Sequence, residues 1–253
     1  MKKILIVMLG CCLLLVACGK KGPLIYPELL APAAPTNITA TQNDKVVRLV
    51  FNLPQVDQAR RTLLDLEGLD VYRRVLKSGT KPECGACTED FILFRKVFVT
   101  APDGLTKLQG SQAIVTDNEV PVGHDYSYYV IAFNKDAIEG LRSTMVVAGV
   151  VEPPKPPLLK AVAEPTEIKL IFEHTGSRAA NFVGYNLYRS LKGQSFPLFP
   201  YGRVSAKDSA YNDVGLTRSE VYIYAATAVF KSPRGNLVES PMSSAVEIKL
   251  LDM

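Results

Sequence analysis

Two close cysteines are the residues whose type and spacing most directly suggest chemistry. Cys84 and Cys87 are separated by two residues, a spacing that lowers a thiol pKa when the pair opens a helix after a strand. Such a pair can carry thiol–disulfide exchange, and with further ligands it can hold zinc. Attachment of haem c needs a histidine directly after the second cysteine, where Thr88 stands.

The two histidines are the remaining candidates for acid–base chemistry at neutral pH. His124 precedes a predicted strand that begins near Tyr126, and His174 follows one that ends near Phe172, so both are expected in loops. They lie in different halves of the chain and do not complete a four-ligand zinc set with the cysteine pair. Carboxylates are scattered, and no glycine-rich phosphate loop occurs. We therefore expect a protein that is not an enzyme and holds no metal or cofactor.

The first seventeen residues have the pattern of a signal peptide. Lys2 and Lys3 give a positive start, an apolar run follows to Val16, and a small residue, Ala17, stands before Cys18. The run is shorter than the roughly 20 apolar residues that span a bilayer. We expect residues 1–17 to be removed.

The sequence around Cys18 resembles the lipobox of bacterial lipoproteins. In that family the cysteine sulfur receives a diacylglyceryl group, and the new amino terminus is acylated after cleavage, commonly with palmitate. The resemblance implies that Cys18 is a lipid anchor, since two or three acyl chains hold a protein to a membrane essentially permanently. Gly19 follows where an aspartate would retain an enterobacterial lipoprotein in the inner membrane. The resemblance therefore favours the outer membrane of the bacterial envelope.

Residues 18–27 are also similar to the start of small lipoproteins that assist maturation of the lipopolysaccharide translocon. This similarity covers only the segment after Cys18 and leaves open whether the body faces the periplasm or the cell surface.

An exported compartment is oxidising, which favours a disulfide between Cys84 and Cys87.

Composition supports folded domains rather than a nucleic-acid-binding chain. Hydrophobic residues make up 47% of the sequence, as packed cores require. The formal net charge is +4, and loss of Lys2 and Lys3 with the signal peptide lowers it to about +2. No dense basic run with interleaved aromatic residues occurs, so no nucleic acid partner is expected.

Two proline-rich stretches divide the chain. Residues 18–34 predict an extended tether, and residues 151–157 predict a semi-rigid polyproline spacer that carries the second domain farther from the membrane. The predicted organisation is a signal peptide over 1–17, a tether over 18–34, a first domain over 35–152 and a second over 153–253.

The two predicted domains repeat one pattern. Apolar residues alternate over Val47 to Phe51 and again over Ile168 to Phe172, as in strands with one buried face. Tyr72-Arg73 pairs with Tyr188-Arg189, and Asp117 leads to Tyr126 and Tyr128 at the same spacings by which Asp213 leads to Tyr222 and Tyr224. Val120 and Leu216 precede Tyr126 and Tyr222 by six residues, which is the spacing of a tyrosine corner.

These landmarks, with many short predicted strands and no long amphipathic helix, predict an all-β protein of two sandwiches. Both halves resemble fibronectin type III domains in their N-terminal prolines, Pro35 and Pro157, in the Tyr-Arg of the third strand and in the Tyr-x-Tyr strand near the end. The family usually carries a tryptophan where Phe51 and Phe172 stand, and this chain has none.

The first domain is longer than the second by about twenty residues between matching landmarks, and Cys84 and Cys87 lie in that insertion. The segment after them, Phe91 to Val99, is rich in β-branched and aromatic residues and predicts a strand, not an active-site helix. We expect a short-range disulfide that pins a hairpin loop.

The sequence therefore predicts a lipid-anchored, non-enzymatic binding or scaffold protein of the bacterial envelope. Its sandwiches would present loops or a strand edge to a protein or a glycan. The alternative is a thiol–disulfide redox or metal-linked protein that uses Cys84 and Cys87.

Overall fold

The computed structural model describes residues 26–76, 90–175 and 181–251. Cys18, Cys84 and Cys87, together with the predicted signal peptide, lie outside these residues. The described chain is built from strands joined by turns and one short 3₁₀-helix, Pro27–Leu30, as the all-β prediction requires. No helix within these ranges is both long enough and apolar enough to span a bilayer.

The first half of the chain forms the strands of one sandwich. In chain order they are β1 (Thr36–Asn43), β2 (Val46–Asn52), β3 (Leu66–Leu76), β4 (Ile92–Phe98), β5 (Thr106–Gln109), β6 (Gln112–Asp117), β7 (Asp125–Asn134), β8 (Glu139–Arg142) and β9 (Val146–Gly149). One sheet has the order β1-β2-β6-β5, and the other has β4-β3-β7-β8 with β9 also paired to β7. The strand predicted over Phe91 to Val99 is β4.

Strand alternation produces the core between these two sheets. Val47, Leu49 and Phe51 of β2 are each fully buried, and they pack against inward residues of β3 and β7 such as Leu69 and Tyr128. Side chains on the opposite face of β2, including Arg48, point away from this core because successive residues of a strand alternate in direction. The prediction of a half-buried early strand is confirmed.

The second half repeats the arrangement. Its strands are β10 (Leu158–Ala163), β11 (Glu167–Glu173), β12 (Phe182–Leu191), β13 (Gly202–Ser205), β14 (Ala210–Val214), β15 (Tyr222–Lys231), β16 (Leu237–Glu239) and β17 (Val246–Ile248). One sheet has the order β10-β11-β14, and the other contains β13-β12-β15 with β16 and β17 paired to β15. Ile168, Leu170 and Phe172 of β11 enter a second buried cluster.

A parallel strand pair joins the two sandwiches. β16 of the second sandwich pairs with β1 of the first, with Gln42 opposite Val238 and Asn43 opposite Glu239. The Asp44 amide donates to the Glu239 carbonyl at 2.9 Å beyond the last pair. One sheet thus runs from β13 of the second sandwich to β5 of the first. We call it the composite sheet.

Side chains reinforce this junction on both sides of the strand pair. Gln42 donates to the Val151 carbonyl at 2.7 Å and accepts from the Val151 amide at 3.0 Å. Arg234 donates from Nε to Asp125 at 2.8 Å, and Asn236 donates to the Val147 carbonyl at 2.7 Å. The two sandwiches therefore contact each other through paired backbone and charged side chains.

The junction changes the role expected of residues 151–157. The sequence predicts a spacer that carries the second domain outward, but here the spacer is held at Val151 by Gln42, and the sandwiches pack side by side. The reason is that β1 and β16 are both edge strands, and pairing satisfies backbone groups that an open edge leaves unmatched.

The tether also differs from the prediction at its C-terminal end. Residues 18–34 are predicted to run extended, yet Pro27 to Leu30 form a 3₁₀ turn, and Ala31 is buried. Proline at the first position of a helical turn costs nothing there, because the missing amide has no partner in the first turn anyway. The described end of the tether is thus part of the folded body.

A candidate binding cleft on the composite sheet

A cleft lies on the outer face of the composite sheet where the two sandwiches meet. Its volume is about 520 Å³, within the range of ligand pockets. Its walls come from both halves of the chain, and its polar lining includes Thr39, Thr41, Arg48, Arg203, Ser205 and Glu239.

The alternation of the strands places these side chains in the cleft. In β1, Ile38 and Ala40 turn into the first core, so Thr39 and Thr41 face outward. In β2 the same alternation turns Arg48 outward. The cleft is therefore lined by the residues that the core does not use, and its position follows from the pairing of β1 with β16.

Arg48 connects the cleft to the segment that follows β12. Its Nη1 donates to the Leu198 carbonyl at 3.2 Å, which holds the approach to β13 against the first sandwich. Its Nε is buried and has no hydrogen-bond partner among the described residues. A buried donor without a partner is uncommon in folded proteins and costs free energy. Because its Nε is enclosed by the protein, Arg48 acts on a ligand in the cleft through its positive charge and not through this atom.

Glu239 is fixed in place on β16, which lies between β15 and β1 in the composite sheet. The Tyr188 hydroxyl donates to its Oε2 at 3.0 Å, and the Thr227 hydroxyl donates to the same oxygen at 2.9 Å. Burial, and then the negative charge of Glu239, raises the pKa of Tyr188 well above its ordinary value, so this hydroxyl keeps its proton. Two arginines, Arg48 and Arg203, and one carboxylate, Glu239, line the cleft, so its lining has a surplus positive charge.

A second polar arrangement occurs once in each sandwich. In the first, Arg73 donates from Nη1 to Asp117 at 2.9 Å, and the Tyr128 hydroxyl donates to the same carboxylate at 2.9 Å. The Glu119 amide adds a third donor at 2.9 Å. Asp117 is fully buried, and burial followed by the charge of Asp117 raises the pKa of Tyr128. The Asp117 carboxylate is thus held by three donors of the same sandwich, which suits stabilisation of the sandwich rather than chemistry on a substrate.

The second sandwich carries the matching cluster at the matching positions. Arg189 donates to Asp213 at 2.9 Å, and the Tyr224 hydroxyl donates to it at 2.7 Å. Tyr201 adds a hydroxyl at 3.4 Å from the same carboxylate. Burial and the bond to Asp213 raise the pKa of Tyr224. The repeat found in the sequence thus brings together one arginine, one aspartate and one tyrosine in each half.

The predicted tyrosine corner is present in the second sandwich. The Tyr222 hydroxyl accepts a hydrogen bond from the Thr217 amide at 2.8 Å, so it bonds back to the backbone just before its own strand. In the first sandwich Tyr126 and Val120 are buried in the same core cluster.

The histidines lie where the sequence predicts but do not come together. His124 is exposed in the turn before β7. His174 follows β11 and packs beside Phe182 and Phe230, with ring centroids 5.1 and 5.5 Å away. No group of three or more potential metal ligands occurs among the described residues.

Sequence reasoning missed Arg48 and Glu239 as candidate functional residues. Each stands at an outward position of a strand, where a charged residue is ordinary and carries no signal of its own. Only the pairing of β1 with β16 brings the two together. Arg73 and Arg189 did repeat with Asp117 and Asp213 in the sequence, and that repeat could have indicated their ion pairs.

No protein-family model and no curated protein matches the chain. Among solved structures it is similar to the crystal structure of chicken CNTN1 FN1-FN3 domains, with 18% identity, a TM-score of 0.39, and coverage of 88% of this chain and 69% of that one. The described residues form the two all-β sandwiches that the sequence predicts.

Proposed function

We propose that this protein is a lipid-anchored lipoprotein of the bacterial envelope and acts as a non-enzymatic binding module. Its anchor is Cys18, and its binding site is the cleft on the composite sheet. The observation that carries the binding role is the cleft itself, which has a volume of about 520 Å³ and is lined by Arg48, Arg203 and Glu239.

The chemistry of the cleft indicates what it accepts. Arg48 and Arg203 supply donors, Thr39 and Ser205 supply hydroxyls, and the surplus charge is positive. Such a lining suits a segment rich in acceptor oxygens, which a protein main chain with acidic side chains and an acidic glycan both provide. The ligand belongs to the envelope, since the anchor confines the protein there.

The two walls of the cleft are held rigidly relative to each other. Because β1 and β16 pair directly, both walls of the cleft belong to one sheet. A ligand then binds without ordering two loosely linked domains, which lowers the entropic cost of association.

The anchor is tested by fractionating cells that express the native chain or Cys18→Ala. Mass spectrometry of the N-terminal peptide is expected to find a diacylglyceryl cysteine at Cys18 in the native chain, and Cys18→Ala is expected to leave the membrane fraction. Unmodified Cys18 in the native chain would contradict the anchor.

The cleft is tested by site-specific photocrosslinking in intact cells. A photoreactive side chain replaces Ser205 inside the cleft or Val162 on the opposite sheet, where it is 47% exposed. We expect one dominant adduct from position 205 and none from 162, and protease treatment then tells a protein adduct from a glycan.

A matched pair of charge variants completes this test. Arg203→Ala removes a cleft cation, whereas Lys207→Ala removes an exposed cation two residues past β13. Loss of the adduct in the first variant and its retention in the second supports the cleft. Equal adducts from positions 205 and 162, or equal effects of the two alanine variants, would contradict it.

A further inference from the structure

The end of the first sandwich that receives the tether is built from two adjoining segments, 26–33 and 55–64. The Ala59 amide donates to the Leu29 carbonyl at 3.0 Å, and the Ala33 amide donates to the Val56 carbonyl at 3.0 Å. Pro32 packs so closely beside Gly140 that a Cβ there would lie 2.1 Å from the Pro32 carbonyl oxygen. The segment at which the tether enters the body is therefore fixed to the sandwich.

Large apolar side chains are exposed on these two segments. Leu64 is 87% exposed, more than any other large hydrophobic residue among the described ones, and Tyr26 is 72% exposed. Leu29 and Val56 are 38% and 37% exposed. We call Tyr26, Leu29, Val56 and Leu64 the tether patch. Single exposed hydrophobic residues are ordinary, but four on two hydrogen-bonded segments indicate a surface that binds another molecule or a membrane.

The charges beside the tether patch have both signs. Arg60 is exposed at the tip of the turn, and Arg61 is paired with Asp57 at 2.8 Å. Asp65 and Asp136 line the neighbouring hollow with Arg61 and Leu64. With Glu28, which is exposed between Tyr26 and Leu29, the carboxylates here outnumber the two arginines, so attraction to an anionic surface does not hold the occupant and apolar contact must do so.

The chain length between the anchor and the patch limits what can lie there. Tyr26 is eight positions after Cys18. A chain spans at most about 3.3–3.6 Å per residue, so Tyr26 stays within about 29 Å of the lipidated cysteine. That limit is a maximum, and any bend in the chain shortens it.

We propose that the tether patch rests on the lipid bilayer, with Leu64 and Leu29 inserted among the headgroups and Tyr26 at the interface. This inference rests on the proposed anchoring at Cys18. Tyrosine suits the boundary between hydrocarbon and water, because its ring is apolar and its hydroxyl is polar. The docked patch adds a second, weaker contact to the lipid anchor and sets the orientation of the first sandwich on the membrane.

The absence of tryptophan from the sequence makes this docking measurable. Leu64→Trp gives the full chain a single indole in the tether patch, and Val214→Trp gives a matched single indole on the second sandwich, where Val214 is 62% exposed. Each variant is expressed in full, purified from membranes and reconstituted in vesicles of phosphatidylethanolamine and phosphatidylglycerol, with and without brominated acyl chains.

The expected result is a shift of the Leu64→Trp emission to shorter wavelength and strong quenching by the brominated lipid, while the Val214→Trp emission changes in neither respect. Equal behaviour of the two indoles in lipidated protein would overturn the inference. A shift to shorter wavelength at Leu64→Trp without bromine quenching would also overturn it, because a protein surface would then cover the patch.

The same samples separate this inference from the proposed function. The mass of the N-terminal peptide reports lipidation at Cys18 independently of the indole. Lipidated protein with an unquenched indole at Leu64→Trp refutes docking and leaves the anchor intact. Protein without lipid at Cys18 refutes both, since the short tether then no longer holds the patch near a bilayer.

Discussion

Neutralising the buried carboxylate of Asp117 is expected to destabilise the first sandwich strongly. Asp117 is fully buried and accepts hydrogen bonds from Arg73, Tyr128 and the Glu119 amide, each at 2.9 Å. The Asp117→Asn variant keeps one acceptor oxygen but removes the charge. The Arg73 guanidinium, whose side chain is 12% exposed, then keeps the Glu119 carbonyl, 3.3 Å from Nη1, and the Glu119 carboxylate, which is 3.7 Å away and 70% exposed.

The size of the loss follows from the burial of the ion pair. Breaking a buried pair costs roughly 3–5 kcal/mol, because one charge is left without compensation. We expect about 3 kcal/mol for Asp117→Asn, the lower end of that range, since asparagine retains part of the hydrogen bonding. The matched variant is Asp213→Asn. The Arg189 side chain is 33% exposed, so water compensates part of its lost partner and the loss should be nearer about 2 kcal/mol.

The assay reads the two sandwiches separately, because packed domains need not unfold in a single transition. Amide hydrogen exchange is followed by mass spectrometry in increasing urea for peptides from β7 and from β15. Asp117→Asn should lower the free energy of opening of β7, and Asp213→Asn that of β15. A loss below about 1 kcal/mol for Asp117→Asn, or a larger loss for Asp213→Asn than for Asp117→Asn, would refute the reasoning.

Three further predictions follow from the buried tyrosines, the junction and the cysteine pair. The folded-state pKa values of Tyr128 and Tyr224 are raised above those of the unfolded chain. Their contribution to stability is therefore complete below about pH 10 and is lost as the pH rises further. The loss is about 1.4 kcal/mol per pH unit for each tyrosine. Urea unfolding between pH 9 and about 11.5 measures this, and an unchanged free energy would contradict it. Gln42→Ala removes both hydrogen bonds to Val151 and should raise the radius of gyration in small-angle X-ray scattering, whereas an unchanged radius would show that the strand pair alone fixes the junction. Cys84 and Cys87 should have a reduction potential below about −300 mV and ordinary thiol pKa values, and a much higher potential with an acid-shifted thiol would favour the redox alternative.

The strands and cores were predictable from the sequence because they depend on local alternation. Val47, Leu49 and Phe51 alternate with outward residues, and burial of one face of a strand requires that pattern. The bond of Tyr222 to the Thr217 amide likewise follows from a spacing within one turn. Local periodicity and turn spacing therefore predicted the sandwich fold.

The junction and the cleft could not be predicted in this way. The parallel pairing of β1 with β16 joins residues about two hundred positions apart, and both strands carry only ordinary edge-strand patterns. Gln42 is the one local hint: it is an inward-facing polar residue, 1% exposed, among apolar neighbours, and it marks where β1 meets Val151. The packing of residues 29–33 against the sandwich could not be predicted either, because their backbone partners lie in another segment of the chain, at 56–59.

Hydrogen exchange at the Asp44 amide tests most directly whether the two sandwiches form one unit with the cleft at their seam. That amide donates to the Glu239 carbonyl at 2.9 Å, across the junction between the halves of the chain. The structure predicts that it exchanges slowly in the native chain and faster in Gln42→Ala. Exchange of the native Asp44 amide at the rate of an unstructured peptide would contradict the composite sheet and the cleft that depends on it.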